Sequence, residues 1–268
     1  MAFWGSSFIY RGKSCREFGM MIYDIGDTRQ DSIFSFPSVG TPIEDRIPTR
    51  YDGFYYGIQY DSPLEFFIVF GIDPELIDEN KSLDKFEVES IASWLTGWQD
   101  MDWLYILQPD METFRYKCIV TGFESISYGM MPYAFRMTVR CDSPFGYMKE
   151  QIYEYTVQNS LETTFFNRST YNGYYMPKLK IRFGSNLSFD ITNQSDDNRK
   201  FSLTVPVSNI IVSVDNLNGI IKDETNGDNL YDGFNFNFFR LKKGNNALLF
   251  EGDAVIQIIT EFPVNIGG

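Results

Sequence analysis

Short apolar runs separated by Asn, Asp and Gly fill the chain from residue 151 onward, and this pattern strongly constrains the fold. Helical periodicity is absent there, and many short runs with turn residues between them are typical of β-sandwiches and barrels. The 25 Phe and 17 Tyr residues agree, because aromatic side chains favour half-buried strands. The 268-residue chain is therefore predicted to be mainly β, with one domain at 1–150 and a β-sandwich at 151–268. The runs are QIYEYTVQ, LKIRFG, LSFDIT, FSLTVPV, IIVSVDN, ALLFEG and AVIQIITEF.

A long hairpin is predicted in the first domain, where RYKCIVTGFESIS and YAFRMTVRC are both strand-like and Gly129 lies in the turn. Centring the turn after Gly129 places Cys118 opposite Cys141, and the apolar/polar alternation puts both thiols on the buried face. This opposition allows two packed thiols, which we favour, or a cross-strand disulfide under oxidising conditions. The turn at 142–144 (DSP) is expected to end the first domain.

One helix is predicted over residues 83–96, with Ser82 as its N-cap and Gly97 directly after its end. Apolar residues recur at helical spacing and are expected to form one buried face. This face is predicted to contain Phe86, Ile91, Trp94 and Leu95, with Leu83 and Val88 at its flanks.

Residues 26–50 are polar and contain Pro37, Pro42 and Pro48, and they show neither helical nor strand periodicity. Long irregular segments in compact proteins are usually functional or disordered. We therefore expect an extended arm that wraps a neighbouring subunit. Strands are predicted around it, at 3–10, 18–25, 54–60 and 64–70.

Charge and composition argue against several classes of function. The chain contains no His, which excludes His-based catalysis and His-ligated zinc. The net charge of −13 argues against binding to nucleic-acid phosphates. The three Cys residues lack the spacing of a zinc or redox pair. The N-terminal residues lack the pattern of a signal peptide, and no apolar run has membrane-spanning length, so no membrane anchor is expected.

No group of residues has the pattern of a nucleophile with its base, so we predict that the chain is not an enzyme and has no catalytic, cofactor-binding or metal-binding residues. Acidic residues crowd one loop-rich region, where Ca²⁺ ligation and ordinary Asx turns are the alternatives. The spacing of an EF-hand is missing, which favours turns. These residues are Asp215, Asp223, Glu224, Asp228 and Asp232.

Two aromatic stretches, at 171–177 and 230–239, are candidate contact surfaces. Their rings can stack on sugars, but Tyr and Phe are equally common in strand cores and subunit contacts. The sequence leaves these alternatives open. The residues proposed for carbohydrate or partner contact are Tyr171, Tyr174, Tyr175, Tyr231 and Phe234.

The order and spacing of several short motifs resemble the distal tail proteins of long-tailed phages with non-contractile tails. At the start, Gly12, Ser14 and residues 18–20 resemble the opening hairpin of that family. The helix ending in IASWLTG and the hairpin closing on Cys141 and residues 142–144 are similar to its first domain. The last sheet of the family is matched by Asp215, Asn216, residues 219–221, Asn229, residues 232–235, Leu241 and residues 244–246.

The resemblance implies a fold with two parts. The N-terminal domain would be a tail-tube-like β-sandwich or barrel with one helix and an extended arm. The C-terminal domain would be a galectin-like β-sandwich. It also implies a structural virion protein at the distal tip of the tail, assembled in the host cytoplasm as a homo-hexameric ring with a channel for DNA passage. The implied partners are the major tail tube protein, the tail-associated hub protein, the tape-measure protein and a receptor-binding protein.

Two alternative functions do not need a ring. The first is a carbohydrate-binding module that uses the aromatic residues of 171–177 or 230–239. The second is a tail-associated glycan hydrolase, which would need two carboxylates placed across a cleft.

Overall fold

The structure is a computed structural model that describes residues 6–27, 41–46, 48–49, 51–59, 62–76, 83–108, 113–128 and 131–265. The chain divides into two compact units, the N-terminal unit (Met1–Tyr147 with Asn265–Gly268) and the C-terminal unit (Met148–Val264). Each unit has its own cluster of buried apolar side chains. Both units are built on β-sheets, as predicted, and the described residues contain a single α-helix.

The N-terminal unit is a curled sheet in the order β2-β1-β7-β8-β9-β6-β3. The amide of Ile22 in β3 donates a hydrogen bond of 3.0 Å to the carbonyl of Ser6 beside β1, so the two ends of the sheet meet around the core. The elements of this part of the chain are β1 (Ser7–Tyr10), β2 (Lys13–Ser14), β3 (Met20–Asp27), β4 (Thr41–Asp45), β5 (Phe54–Gln59), β6 (Glu65–Ile72), α1 (Lys85–Thr96), β7 (Asp102–Leu107), β8 (Phe114–Tyr128), β9 (Met131–Cys141) and β10 (Gly146–Met148), with 3₁₀ turns at Cys15–Phe18 and Pro74–Leu76.

The predicted hairpin is formed by β8 and β9, and its register confirms the pairing of Cys118 with Cys141. A bulge between Val120 and Gly122 shifts the pairing by one residue, and the register is restored near the turn. The two turn residues, 129–130, lie outside the described residues. Both thiols are free and buried, so the alternation of side chains correctly identified the core face.

Helix α1 begins two residues later than predicted. Its N-cap is Asp84, whose side chain accepts from the Glu87 amide at 2.8 Å while the Glu87 side chain accepts from the Asp84 amide at 2.9 Å. The predicted cap, Ser82, lies outside the described residues. Ile91, Trp94 and Leu95 are buried as expected. The prediction for Phe86 was wrong, because its ring is 78% exposed.

The helical period explains why Phe86 is exposed. Phe86 precedes the buried Ile91 by five residues, which at 3.6 residues per turn places it about 140° around the helix. On the buried side, the Trp94 ring lies between Phe8 and Phe18 at centroid distances of 5.7 and 5.1 Å. Its Nε1 donates to the Tyr10 carbonyl at 3.1 Å, which fixes the helix against the sheet.

The segment predicted to be an irregular arm contains a strand. Within 26–50, β4 pairs with β5 to form a separate two-stranded ribbon, whereas residues 28–40 lie outside the described residues. Pro42 does not prevent this pairing, because each strand of a two-stranded ribbon is an edge strand and needs donors on one side only. The strands predicted at 54–60 and 64–70 therefore belong to different sheets.

The C-terminal unit is a two-layered sandwich made from one continuous sheet. Its central pair, β11 and β17, runs antiparallel over 17 residues of each strand. The first half of β17 also pairs with β13, and the second half pairs with β12. The strands are β11 (Gln151–Asn167), β12 (Lys178–Phe183), β13 (Ser188–Asn193), β14 (Arg199–Thr204), β15 (Ile211–Asp215), β16 (Ile220–Asp223), β17 (Gly244–Thr260) and β18 (Pro263–Val264), with a 3₁₀ turn at Tyr231–Gly233.

Gly252 marks the point where β17 changes partners. Its φ of 132° is accessible mainly to glycine, and a Cβ there would lie 2.7 Å from the carbonyl oxygen of Ser188. The paired residue Asn159 also has a positive φ, 67°. The runs predicted as the separate strands ALLFEG and AVIQIITEF are thus one long strand that bends and contributes to both layers.

Candidate functional site

Tyr175, one of the predicted contact residues, mainly supports the fold. Its amide and carbonyl bond to the backbone of Leu241 at 2.9 and 2.8 Å, and its ring packs on Phe262 at 4.8 Å. Its hydroxyl accepts from the Glu261 amide at 2.7 Å. Burial raises the pKa of the Tyr175 phenol. The side chain is therefore engaged inside the C-terminal unit.

Tyr174 belongs to an ionic cluster at the same loop. The Arg240 guanidinium lies 3.6 Å from the centroid of the Tyr174 ring, which occupies one ring face. Arg240 Nε donates to Asp196 Oδ2 at 2.6 Å, and Lys242 Nζ lies 3.7 Å from Asp196 Oδ1. Burial favours a higher pKa for Asp196, but hydrogen bonds from Arg240 and Tyr174 outweigh it, so the pKa is lowered. The cluster fixes the orientation of Tyr174.

Removing the Asp196 carboxylate is expected to destabilise the C-terminal unit. The Asp196→Ala variant should lose about 2 kcal/mol at neutral pH, since Arg240 and Lys242 are left without their buried partner. The pKa of Asp196 in the folded protein is below the ordinary value of 3.8. The stability that the carboxylate contributes is therefore complete above pH 3.8, and it is lost as the pH falls through the pKa of the folded state. Urea unfolding followed by circular dichroism at pH 7 and at pH 3 would measure both effects.

The matched control for this variant is Asp228→Ala, an exposed carboxylate in the same unit. It is expected to change stability by less than about 0.5 kcal/mol. All four Trp residues lie before residue 148, so Trp fluorescence reports the N-terminal unit separately. If Asp196→Ala and Asp228→Ala lowered the free energy of unfolding equally, the Asp196 cluster would not be a stabilising contact.

Tyr171 lies three residues before Tyr174 at the start of the same loop and is partly exposed. Its ring packs over the backbone of Gly173, where an added Cβ would lie 2.4 Å from a ring carbon. Its amide donates to the Ser169 hydroxyl at 3.0 Å. The structure thus brings Tyr171 and Tyr174 into one loop, and glycine at position 173 permits that packing.

The second predicted aromatic group is divided between core and surface. Phe234 is 5% exposed and packs on Phe201 at 5.1 Å, which corrects the expectation of a surface contact at this residue. It is buried because its backbone bridges to Leu203 at the edge of the sandwich, and its ring therefore covers the core. Tyr231 is partly exposed, and its hydroxyl donates to the Gly219 carbonyl at 3.0 Å.

Phe236 was missed by the sequence analysis, although it lies within the stretch 230–239. Its side chain is 67% exposed and its backbone has a φ of 59°, the left-handed region. That conformation costs a residue with a Cβ about 1 kcal/mol or more. The ring is nearly parallel to that of Tyr231, 10° apart, with 6.3 Å between centroids. The alternating Phe and Asn residues of FNFNF make this stretch recognisable in the sequence, but they do not predict the positive φ of Phe236.

Two of the five acidic loop residues, Asp215 and Asp223, accept hydrogen bonds within turns, and Glu224 pairs with Lys180 at 2.7 Å. Asp215 accepts from the amide and the side chain of Asn218, at 3.0 and 2.8 Å. Asp223 accepts from the Thr225 amide at 2.8 Å. Within the described ranges, no three Cys, Asp or Glu side chains form a group that could hold a metal ion. In the same ranges, no helix has both the length and the apolar character needed to cross a membrane.

Comparison with known proteins identifies the family. Residues 3–143 match the phage tail protein N-terminal domain, and residues 145–260 match the phage tail C-terminal domain. No curated protein matches the sequence. The crystal structure of the SPP1 Dit protein (gp 19.1), described as a paradigm of the hub adsorption apparatus in Gram-positive infecting phages, is similar with a TM-score of 0.69.

This likeness to the Dit protein covers 96% of the present chain and 98% of the SPP1 protein, at 12% sequence identity. At that identity, the comparison establishes a shared fold. The two family matches together cover most of the 268 residues. The chain therefore belongs to the phage tail protein family and has the fold of the distal tail (Dit) protein.

Proposed function

We propose that six copies of this chain form a ring at the distal end of a phage tail, where the ring joins the tail tube to the tail-tip hub. The observation that carries the proposal is the match of both units, in order and over 96% of the chain, to a Dit protein of a phage adsorption apparatus. The proposed role is structural and needs no catalytic residues. The other proposed partners are the tape-measure protein and a receptor-binding protein.

The β4–β5 ribbon supports assembly through the N-terminal unit. A two-stranded ribbon is marginally stable alone, and among the described strands β4 and β5 pair only with each other. Its apolar side chains remain in water, including Tyr55, Tyr56 and Ile58 at 62%, 63% and 44% exposure. A neighbouring copy in a ring would cover them. The ribbon would then be the inter-subunit arm expected within 26–50, extended by β5.

The charge of the chain supports a channel for DNA. With a net charge of −13 per copy, the ring would carry a strong negative potential. Such a lining would keep DNA phosphates from adhering during passage. The C-terminal unit, as the proposed galectin-like domain, would be available to other proteins of the tail tip.

Negative-stain electron microscopy of the purified protein tests the ring directly. The expected images show particles with six-fold symmetry and a central opening, and mass photometry should give six times the mass of one chain. A single-chain mass at every concentration, with no closed particles in the images, would refute the hexameric ring.

A further inference from the structure

An exposed apolar surface on the C-terminal unit, here called the Phe236 patch, joins two loops. The Tyr231 hydroxyl bonds to the Gly219 carbonyl at 3.0 Å, and an added Cβ on Gly219 would lie 3.5 Å from the Phe238 ring. Phe236 lies beside Tyr231. The patch consists of Leu217, Ile220, Tyr231, Phe236 and Phe238, of which Leu217 is 74% and Ile220 is 38% exposed.

Two unfavourable features coincide at Phe236. The backbone is held in the left-handed region, and the ring is largely in water. Asn or Gly at this position would relieve the backbone strain and remove the exposed ring. Strained residues persist where surrounding structure enforces them, and they concentrate at functional sites. Within the unit the Phe236 ring contacts the rings of Phe234 and Tyr231, at centroid distances of 5.6 and 6.3 Å, yet it stays 67% exposed, and a partner would cover that exposed surface.

Side-chain chemistry favours a protein as that partner. Leu217 and Ile220 are aliphatic and extend the patch beyond an aromatic stacking platform for sugars. Exposed apolar patches with a polar rim are typical of protein interfaces. The exposed carboxylates of Asp228 and Asp232 lie on the loop that carries Tyr231, and the exposed Lys222 bridges to Asn229 of that loop, so the rim carries more acidic than basic residues. A second copy of this acidic chain, binding through the same patch, would bring like charges together.

We propose that the Phe236 patch is the docking site for another protein of the tail, which receives the Phe236 ring in an apolar pocket bordered by Lys or Arg. The proposal rests on the tail-tip role proposed above, because that role supplies the class of partner. It does not require the ring to be hexameric.

The test uses the full-length chain and each of the other tail proteins of the same phage, produced individually. One of them is expected to bind, and Phe236→Asn should weaken its affinity roughly a hundredfold. Asp232→Lys should weaken binding several-fold at low salt and less at high salt. Val207→Asn is the matched control, since Val207 is 56% exposed on another loop of the same unit, and it should leave the affinity unchanged.

Thermal unfolding separates a docking residue from a structural one. Phe236→Asn is expected to unfold at about the same temperature as the parent chain, because relief of the backbone strain offsets the lost ring contacts with Tyr231 and Phe234. Lower stability of that variant, unchanged affinity, or the absence of any tail protein that binds would overturn the proposal. The proposal would also be overturned if the only effect of Phe236→Asn were a loss of self-association, or if its only effect were a loss of binding to a glycan array.

Electron microscopy of the same variant distinguishes this proposal from the proposed function. If Phe236→Asn forms hexameric rings normally but no longer binds the partner, the docking site and the hexamer are both supported. Rings without any Phe236-dependent partner overturn the docking site alone. A partner that binds through Phe236 to a chain that forms no ring overturns the hexamer alone.

Discussion

Between pH 9 and pH 11, the N-terminal unit is expected to lose much of its stability. All three Cys residues lie in its core, and burial raises the pKa of each thiol, for Cys15 from 9.0 to about 11. The folded state therefore keeps protons that the unfolded state releases above pH 9.0. Stability is full below that pH and falls by about 1.4 kcal/mol per pH unit for each thiol as the pH rises.

Urea unfolding followed by Trp fluorescence, at pH 8 to pH 11, measures this loss in the N-terminal unit alone. The Cys118→Ala and Cys141→Ala variants are the controls. Each should be less stable than the parent at pH 8 but should lose less stability on the way to pH 11, because one titrating group is gone. Rapid reaction of the native thiols with a thiol reagent at pH 8 would contradict the burial on which this expectation depends.

The second large effect expected is loss of the hexameric ring, which should follow from two substitutions in the β4–β5 ribbon. Tyr55→Ser combined with Tyr56→Ser should weaken self-association about a thousandfold, because buried aromatic residues at interfaces contribute about 2 kcal/mol each. The same pair should change the unfolding free energy of the isolated chain by less than about 0.5 kcal/mol each, since both rings are largely exposed.

Mass photometry and urea unfolding of the same samples separate the two effects. Ile152→Ser combined with Phe166→Ser is the matched control, because these residues are 56% and 55% exposed on β11 of the C-terminal unit. The control should form rings as the parent chain does. Intact rings with the ribbon variant would show that the ribbon is not the contact between subunits.

The long hairpin shows how far local sequence pattern can go. Side chains alternate with a period of two along a strand, so a one-residue error in register would have exposed every apolar residue of the hairpin. The position of the turn predicted the pairing of Cys118 with Cys141, and the alternation supported that register and identified the buried face. The bulge after Val120 was not foreseen, although it reverses the alternation within β8, where Val120 and Phe123 both pack against the core.

The candidate site was predicted less well, for a reason visible in its residues. Tyr174, Tyr175, Tyr231 and Phe234 have similar sequence surroundings, yet one ring is covered by Arg240 and another is buried in the core. Whether an aromatic ring faces water depends on contacts with distant strands, which sequence spacing does not encode. Phe236 became recognisable only from its backbone conformation and exposure.

By itself, the sequence determined that the protein is mainly β, that one helix lies near 83–96, and that its motifs resemble distal tail proteins. These properties follow from residue type and period, which act over a few residues. Only the tertiary structure decided that β17 bends at Gly252 to serve two layers, that the β4–β5 ribbon is a separate sheet, and that Phe236 faces water. Each of these depends on which distant strands pair, and hydrogen bonds between strands are made by a backbone that is the same in every residue type except proline.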